Sequence, residues 1–351
     1  MYHKFLSQSS KSPKMDLYYK KQNANNEQKA KEIAKQKEDL RKLRYDTSNY
    51  VGNNRKLIAA CLHGSLEDVK YFLTQDADID CIIDIGGVSY TPLQAACQRK
   101  SKGHLDIVKF LLEEGAIPNL KNANGVEPLH EAAKYHNLAV IKLLLAKKVP
   151  INSKDKRGMT PLMYACEGST FEENIGIKVA RYLIDCGADV KLLDNYEQSA
   201  LWHAIISSHN QQELVNYLID DQKLDPNLGS SVLHAALTLI EFKKNIAIYE
   251  AYIEILLKAG ANPAKINGQD LIEYAKENKL SDKIVNLLKQ KTQSAQPQTT
   301  LETSPCYSTN DPAKHLRRAH TIFKHFKPDP IAACQNEQEK ISLPSSFNFS
   351  Q

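Results

Sequence analysis

A chain of 351 residues, 42% hydrophobic and 25% charged, can bury a substantial core and has a globular composition. Its net charge of +5 is uneven: residues 1–50 hold 12 Lys/Arg against 6 Asp/Glu, residues 291–351 hold 7 against 5, and the segment between holds 27 against 30. The longest apolar run, Leu57 to Leu62, is far short of the roughly 18–20 residues of a spanning helix, and residues 1–10 lack a signal-peptide core, so a cytoplasmic protein is expected. No nucleic acid is expected as partner, because the net positive charge lies at the two ends and the repeats, whose groove would have to be basic, are slightly acidic.

The charge and composition shifts divide the chain into a basic segment over 1–50, a domain over 51–290 and a tail over 291–351. Residues 1–25 are rich in Lys, Ser, Asn and Tyr without periodicity, and disorder is expected there. Residues 26–45 shift to Lys, Glu, Gln and Ala with sparse apolar marks at Ala30, Ile33, Leu40 and Leu43, which predicts a charged helix. It either caps the domain that follows or forms a short coiled coil. Lys37 and Arg44 break the apolar seam and favour the cap.

From residue 51 one unit recurs, seen best between Asn124 and Ser153. It has a turn at Gly125, a short helix opening Glu127-Pro128-Leu129-His130, and a second helix through Val140 to Leu145. The slot of Leu129 is held in turn by Leu57, Leu93, Leu129, Leu162, Leu201, Leu233 and Leu271, at gaps of 36, 36, 33, 39, 32 and 38 residues. A period in the mid-thirties signals stacked helical pairs, none of which can bury its apolar face alone. Proline opening a helix leaves no amide unpaired, and a threonine before it can cap the first turn, as in Thr91-Pro92 and Thr160-Pro161. Ala96, Ala132, Ala165, Ala204 and Ala236 allow close helix approach. Gly115, Gly187 and Gly260 stand where the second helix must stop in a left-handed residue. Lys148 holds that place in the third unit, so a different exit is expected there.

Thr91-Pro92-Leu93 with Ala95-Ala96, Pro128-Leu129-His130 with Ala132-Ala133, Thr160-Pro161-Leu162 with Ala165, and Leu233-His234-Ala235-Ala236 together resemble the ankyrin repeat. The fold expected is all-α: an ankyrin-repeat solenoid of about seven helix-turn-helix units with short hairpin-like loops, flanked by disordered or helical termini. The fifth unit departs from the pattern, with Glu197 in place of the turn glycine and no Thr-Pro, and its Trp202 is expected to pack between repeats. The sixth carries added apolar residues between Thr238 and Ile248, which predicts longer helices.

Cys61, Cys97 and Cys166 fall in the slot of Ala133 and read as core thiols, while Cys306 and Cys334 read as exposed tail thiols. No cysteine pair has metal or redox spacing, and no Ser/His/Asp or Cys/His set, phosphate loop or zincin motif occurs. No catalytic residue, metal or cofactor is therefore expected. A monomer is expected.

In the tail, residues 314–327 (KHLRRAHTIFKHFK) carry five Lys/Arg and no acid, with Arg317 and Arg318 among the charges and Ile322, Phe323 and Phe326 on one helical face. That pattern suits weak contact with an anionic membrane, which would make the protein a membrane-recruited adaptor, or a partner groove; a helix docked on the repeats or an unfolded basic tract is the plainer alternative. Residues 336–351 resemble the C-terminal signals of bacterial type IV effectors, with acids before a short polar end carrying Phe347 and Phe349. Secretion into a host cell, and action on a host protein, follow as expectations.

The ankyrin resemblance implies a protein partner, of unknown identity, held in the concave groove by the hairpin tips and the exposed ends of the first helices. Carried over by position, the tips supply Tyr90, Asn124, Val126, Lys156, Arg157, Met159, Tyr196 and Gln198. The helix ends supply Gln98, Arg99, Lys134 and Tyr135.

Overall fold

The computed structural model describes residues 28–41, 52–168, 175–207, 211–242, 246–263, 271–277 and 280–294. The chain divides into two compact units, Met1–Thr292 and Gln293–Gln351. The tail residues Arg317, Arg318, Ile322, Phe323 and Phe326, the segment 336–351, Cys306 and Cys334 lie outside the described residues, as do residues 1–25.

Within the first unit, helix α1 spans residues 28–41. Helical pairs follow: α2 (Asn53–His63) with α3 (Leu66–Thr74), α4 (Pro92–Cys97) with α5 (Lys102–Glu113), α6 (Pro128–Lys134) with α7 (Leu138–Ala146), and α8 (Pro161–Glu167) with α9 (Ile175–Asp185). Then come α10 (Ala200–Ile206) with α11 (Gln212–Asn216), α12 (Val232–Phe242) with α13 (Ile246–Lys258), and α14 (Leu271–Glu277) with α15 (Asp282–Ser294). One hairpin, β1 (Ile83–Ile85) and β2 (Val88–Tyr90), joins the first two pairs in antiparallel register, with Ile83 opposite Tyr90. Its two-residue turn needs positive φ at both positions, and Gly86 (64°) and Gly87 (82°) supply it.

The pairs start where the local chemistry dictates. The Thr91 hydroxyl accepts from the Gln94 amide while Gln94 Oε1 accepts from the Thr91 amide at 2.9 Å, so each caps the other. Ser65, Ser101, Asn137, Thr160 and Ser199 cap their helices through side-chain oxygens in the same manner.

The core is the seam predicted by the leucine spacing. Leu57, Leu93, Leu129, Leu162, Leu201, Leu233 and Leu271 are at most 4% exposed, and the first helices α2, α4, α6, α8, α10 and α12 pack on one another in sequence order. Burial of each such side chain stabilises the stack by about 1.5–3 kcal/mol. Ala96, Ala132, Ala165, Ala204 and Ala236 are fully buried at the helix contacts, and so are Cys61, Cys97, Ala133 and Cys166 in their common slot. Burial pushes the Cys166 thiol up to about 12, which keeps it protonated and unreactive. Trp202 packs inside the stack at 7% exposure. In the sixth pair the first helix α12 has 11 residues against 6 or 7 in α4, α6, α8 and α10, and the second helix α13 has 13 against 9 to 12 in α3, α5, α7 and α9.

Side chains also stitch successive pairs together. The His104 ring bonds the Leu62 carbonyl at 3.0 Å, Asn137 donates to the Arg99 carbonyl at 2.8 Å, and Ser207 donates to the Glu167 carbonyl at 3.0 Å. Ahead of the stack, Arg41 of α1 donates to Asp68 at 2.9 Å and lies 4.0 Å from the centre of the Tyr71 ring, while Lys37 pairs with Glu67. These contacts set α1 against α3.

One expectation about backbone is corrected. Lys148 adopts φ of 60°, so the third pair leaves α7 through the same left-handed region as Gly115, Gly187 and Gly260, not by a different exit. The following Val149 is buried, as are Ala116, Ala188 and Ala261 after the glycines, and that burial holds the exit in place. The fifth second helix also departs from a regular α-helix: α11 widens into a π-turn over Tyr217–Asp221.

Candidate functional site

The loops that precede α6, α8 and α10 share one construction. Asn122 Oδ1 accepts from the amides of Asn124 and Val126 at 2.9 and 3.1 Å. Asp155 Oδ1 does so for Arg157 and Met159 at 2.9 and 2.8 Å, and Asp194 Oδ1 for Tyr196 and Gln198 at 2.8 and 2.9 Å. The third residue after each takes positive φ: Gly125 at 74°, Gly158 at 80° and Glu197 at 60°. Glu197 thus keeps the turn despite lacking glycine's freedom, because its carbonyl is bonded by the Ser230 amide of the next loop.

Tip is tied to tip along the stack. The Lys156 amide donates to the Asn124 carbonyl at 3.0 Å and the Asn195 amide to the Arg157 carbonyl at 2.9 Å, with Asn122 reaching back to the Ser89 carbonyl at 2.7 Å. Gly158 is required by this proximity, since a Cβ there would stand 2.7 Å from the Asn195 amide nitrogen. The ladder fixes the backbone from which the tip side chains project.

That geometry sorts the expected contact residues. Asn124, Lys156, Arg157 and Tyr196 are exposed at the tips, as expected, and Tyr90, Arg99, Lys134 and Tyr135 are half-buried beside them. Val126, Met159 and Gln198 are corrected: they are 7%, 2% and 9% exposed and face inward, because their amides close the Asx turn and their side chains lie three residues before the core leucine. Gln98 is also corrected. It is 8% exposed, and its amide donates to Glu131 at 3.2 Å instead of facing a partner.

Side chains missed by sequence reasoning support the tips from below. Tyr164 donates to Asp155 Oδ2 at 2.9 Å, and Arg157 Nη2 donates to the Tyr164 oxygen at 3.1 Å. One unit on, the His203 ring meets Asp194 Oδ2 at 3.2 Å in the equivalent relation. Burial raises the Tyr164 phenol and the Glu131 carboxyl above their ordinary values. The available signal was positional: Glu131, Tyr164 and His203 all stand two residues after the leucine slot. Lys121 and Lys154 were missed as well. Their ammonium groups donate to the Lys154 and Leu193 carbonyls at 3.1 and 2.7 Å, lacing three successive loops.

The surface can therefore offer fixed charges, hydrogen-bond donors and tyrosine rings to a macromolecule. Among the described residues, no cluster of three or more His, Cys, Asp or Glu could hold a metal, and no helix is long and apolar enough to cross a membrane.

Comparison with known proteins gives the same picture. The family model for ankyrin repeats (3 copies) matches residues 56–155 and 137–230. The chain is 36% identical over 137 residues to YahD of Escherichia coli (strain K12), described as an ankyrin repeat protein, covering 37% of this chain and 62% of that one. It is 26% identical over 235 residues to the ankyrin repeat and KH domain-containing protein mask-1 of Caenorhabditis elegans, covering 66% of this chain and 8% of that one. It is 26% identical over 167 residues to the palmitoyltransferase ZDHHC13 of Homo sapiens, covering 47% of this chain and 25% of that one. The chain thus spans less than two thirds of the length of each of these relatives.

Proposed function

The chain belongs to the ankyrin-repeat family, and on that premise we propose that it is a non-catalytic adaptor that holds a partner protein against its tips and the exposed ends of α4 and α6. Ankyrin repeats are a protein–protein interaction module, and this chain carries one. The observation that supports the groove is the ladder of tip-to-tip hydrogen bonds from Ser89 to Ser230, which holds Asn124, Lys156, Arg157 and Tyr196 outward on a rigid backbone. Presenting contact residues already ordered lowers the entropy cost of association. Arg99 and Tyr135 flank the ladder, and both are residue types that anchor interfaces.

The test is a pull-down with the double variant Arg99→Ala/Tyr135→Ala beside the outer-helix control Lys109→Ala. Loss of capture by the first at unchanged melting temperature, with capture retained by the second, is the expected result. Capture indifferent to the double variant would refute the groove.

Transfer into a host cell by a type IV system rests on residues 336–351 alone. Removing them from a reporter fusion should abolish translocation, and persistent translocation would refute it.

A further inference from the structure

The acidic balance of the repeats conceals a local reversal. The exposed side chains on the tips of the third and fourth units include Lys121, Lys154, Lys156 and Arg157, and the acids beneath them, Glu127 and Asp155, are 2% and 7% exposed and face inward. Glu127 offsets part of the Lys121 charge at 3.6 Å, and Asp155 part of the Arg157 charge at 3.4 Å. Both carboxylates are covered, so an approaching molecule meets the cations first. The run ends on each side: Asp84 is exposed on the hairpin of the second unit, and Glu197 and Asp225 on the loops of the fifth and sixth.

Arg157 is built for recognition, not merely exposed. Its amide is held by Asp155 Oδ1 at 2.9 Å, its Nε by Asp155 Oδ2 at 3.4 Å, and its Nη2 by the Tyr164 hydroxyl at 3.1 Å. The side chain nevertheless remains 43% exposed, which leaves further N–H donors of the fork for an outside acceptor. A guanidinium fixed this way meets a carboxylate with little rotamer entropy left to lose. Lys156 beside it is exposed on a backbone pinned by the Asn124 carbonyl and by the Asn195 side chain at 2.9 Å.

We propose that these tips dock a short acidic segment of the partner polypeptide, with Arg157 as the anchor for one carboxylate and Lys154 and Lys156 for its neighbours. The inference rests on the groove reading above and adds the chemistry of what the groove accepts. One step between the packed helices of these two units, at about 8–10 Å, makes the cationic run about 8–10 Å long, or about three extended residues. A nucleic-acid strand is a poorer fit, because its phosphates continue past the run onto Asp84, Glu197 and Asp225.

Fluorescence anisotropy with the full chain tests this directly, using labelled hexaglutamate, hexaglutamine and hexathymidylate as probes. Hexaglutamate should bind more tightly than either control and weaken as salt is raised. Lys156→Glu, which alters an exposed side chain, should weaken hexaglutamate about fivefold, near the upper end for one exposed charge contact. Arg157→Gln should weaken it about tenfold, as expected for loss of a held charged donor. Equal binding of hexaglutamine, tighter binding of hexathymidylate, or wild-type affinity in both variants would overturn the proposal. If the peptide fails while Arg99→Ala/Tyr135→Ala still abolishes capture, only the charge inference falls. If capture is insensitive as well, the groove reading falls with it.

Discussion

Replacing His130 with glutamine should make the protein more resistant to mild acid without loosening the stack at neutral pH. His130 is fully buried: its Nδ1 accepts from the Glu127 amide at 3.2 Å, and its Nε2 bonds the Ser153 and Met159 carbonyls at 3.1 and 3.2 Å. Protonating Nδ1 would set a second donor against the Glu127 amide in a fully buried site. Burial accordingly pushes the ring down from 6.5 to about 4. The unfolded chain takes up a proton that the folded one refuses, so the stability is complete above about pH 6.5 and is lost as pH falls toward 4. Between pH 7.5 and 5.0 the difference amounts to about 2 kcal/mol. One unit earlier, Gln94 fills the same slot: its Oε1 accepts from the Thr91 amide at 2.9 Å and its Nε2 donates to the Leu120 and Val126 carbonyls at 3.3 and 2.5 Å. Glutamine can thus make the bonds of the neutral ring without titrating. Urea denaturation of wild type and His130→Gln at the two pH values gives the difference of differences. The opposite trend from Glu131, whose carboxyl burial raises, is common to both proteins and cancels. Equal loss of stability in the two on acidification would refute the reasoning.

Lys148→Gly should raise stability by about 0.5–1 kcal/mol, since the left-handed residue after α7 bears a side chain that Gly115, Gly187 and Gly260 lack; a calorimetric melt reads it. Thiol labelling of the native protein followed by mass spectrometry should modify exposed Cys186 and leave Cys61, Cys97 and Cys166 unmodified until the stack is unfolded. Arg41→Ala removes the bond to Asp68 and the stacking on Tyr71, at a cost of about 1–3 kcal/mol to the docking of α1. Hydrogen exchange should rise across residues 28–41 and stay unchanged in α8 and α10.

The helices were legible because their determinants are local and repeated. A leucine every 32 to 39 residues, a proline opening α4, α6 and α8, and alanine at each close approach state the packing outright. The lengthening of α12 and α13 could be read from added apolar residues for the same reason. The loops were less legible, because what fixes them comes from the next unit. Glu197 and Lys148 looked unsuited to left-handed positions by residue type, yet the Ser230 amide on one and the buried Val149 after the other outweigh that preference. Val126, Met159 and Gln198 were placed outward by analogy of position, whereas the Asx turns of Asn122, Asp155 and Asp194 rotate them inward. The charge reading failed in resolution. A balance taken over 240 residues averages acids elsewhere in the domain, such as Asp84, Glu197 and Asp225, with the cationic tips, and only the fold separates them.

Site-directed photocrosslinking reaches the central claim with least intermediate reasoning. A photoreactive residue is placed at Tyr196 on a tip, at Tyr135 on a first-helix end, or at Lys109 on an outer helix, and the adducts formed in cell lysate are compared. The account predicts one shared partner crosslinked from Tyr196 and Tyr135 and absent from Lys109. A partner crosslinked from Lys109 and from neither of the others would contradict it.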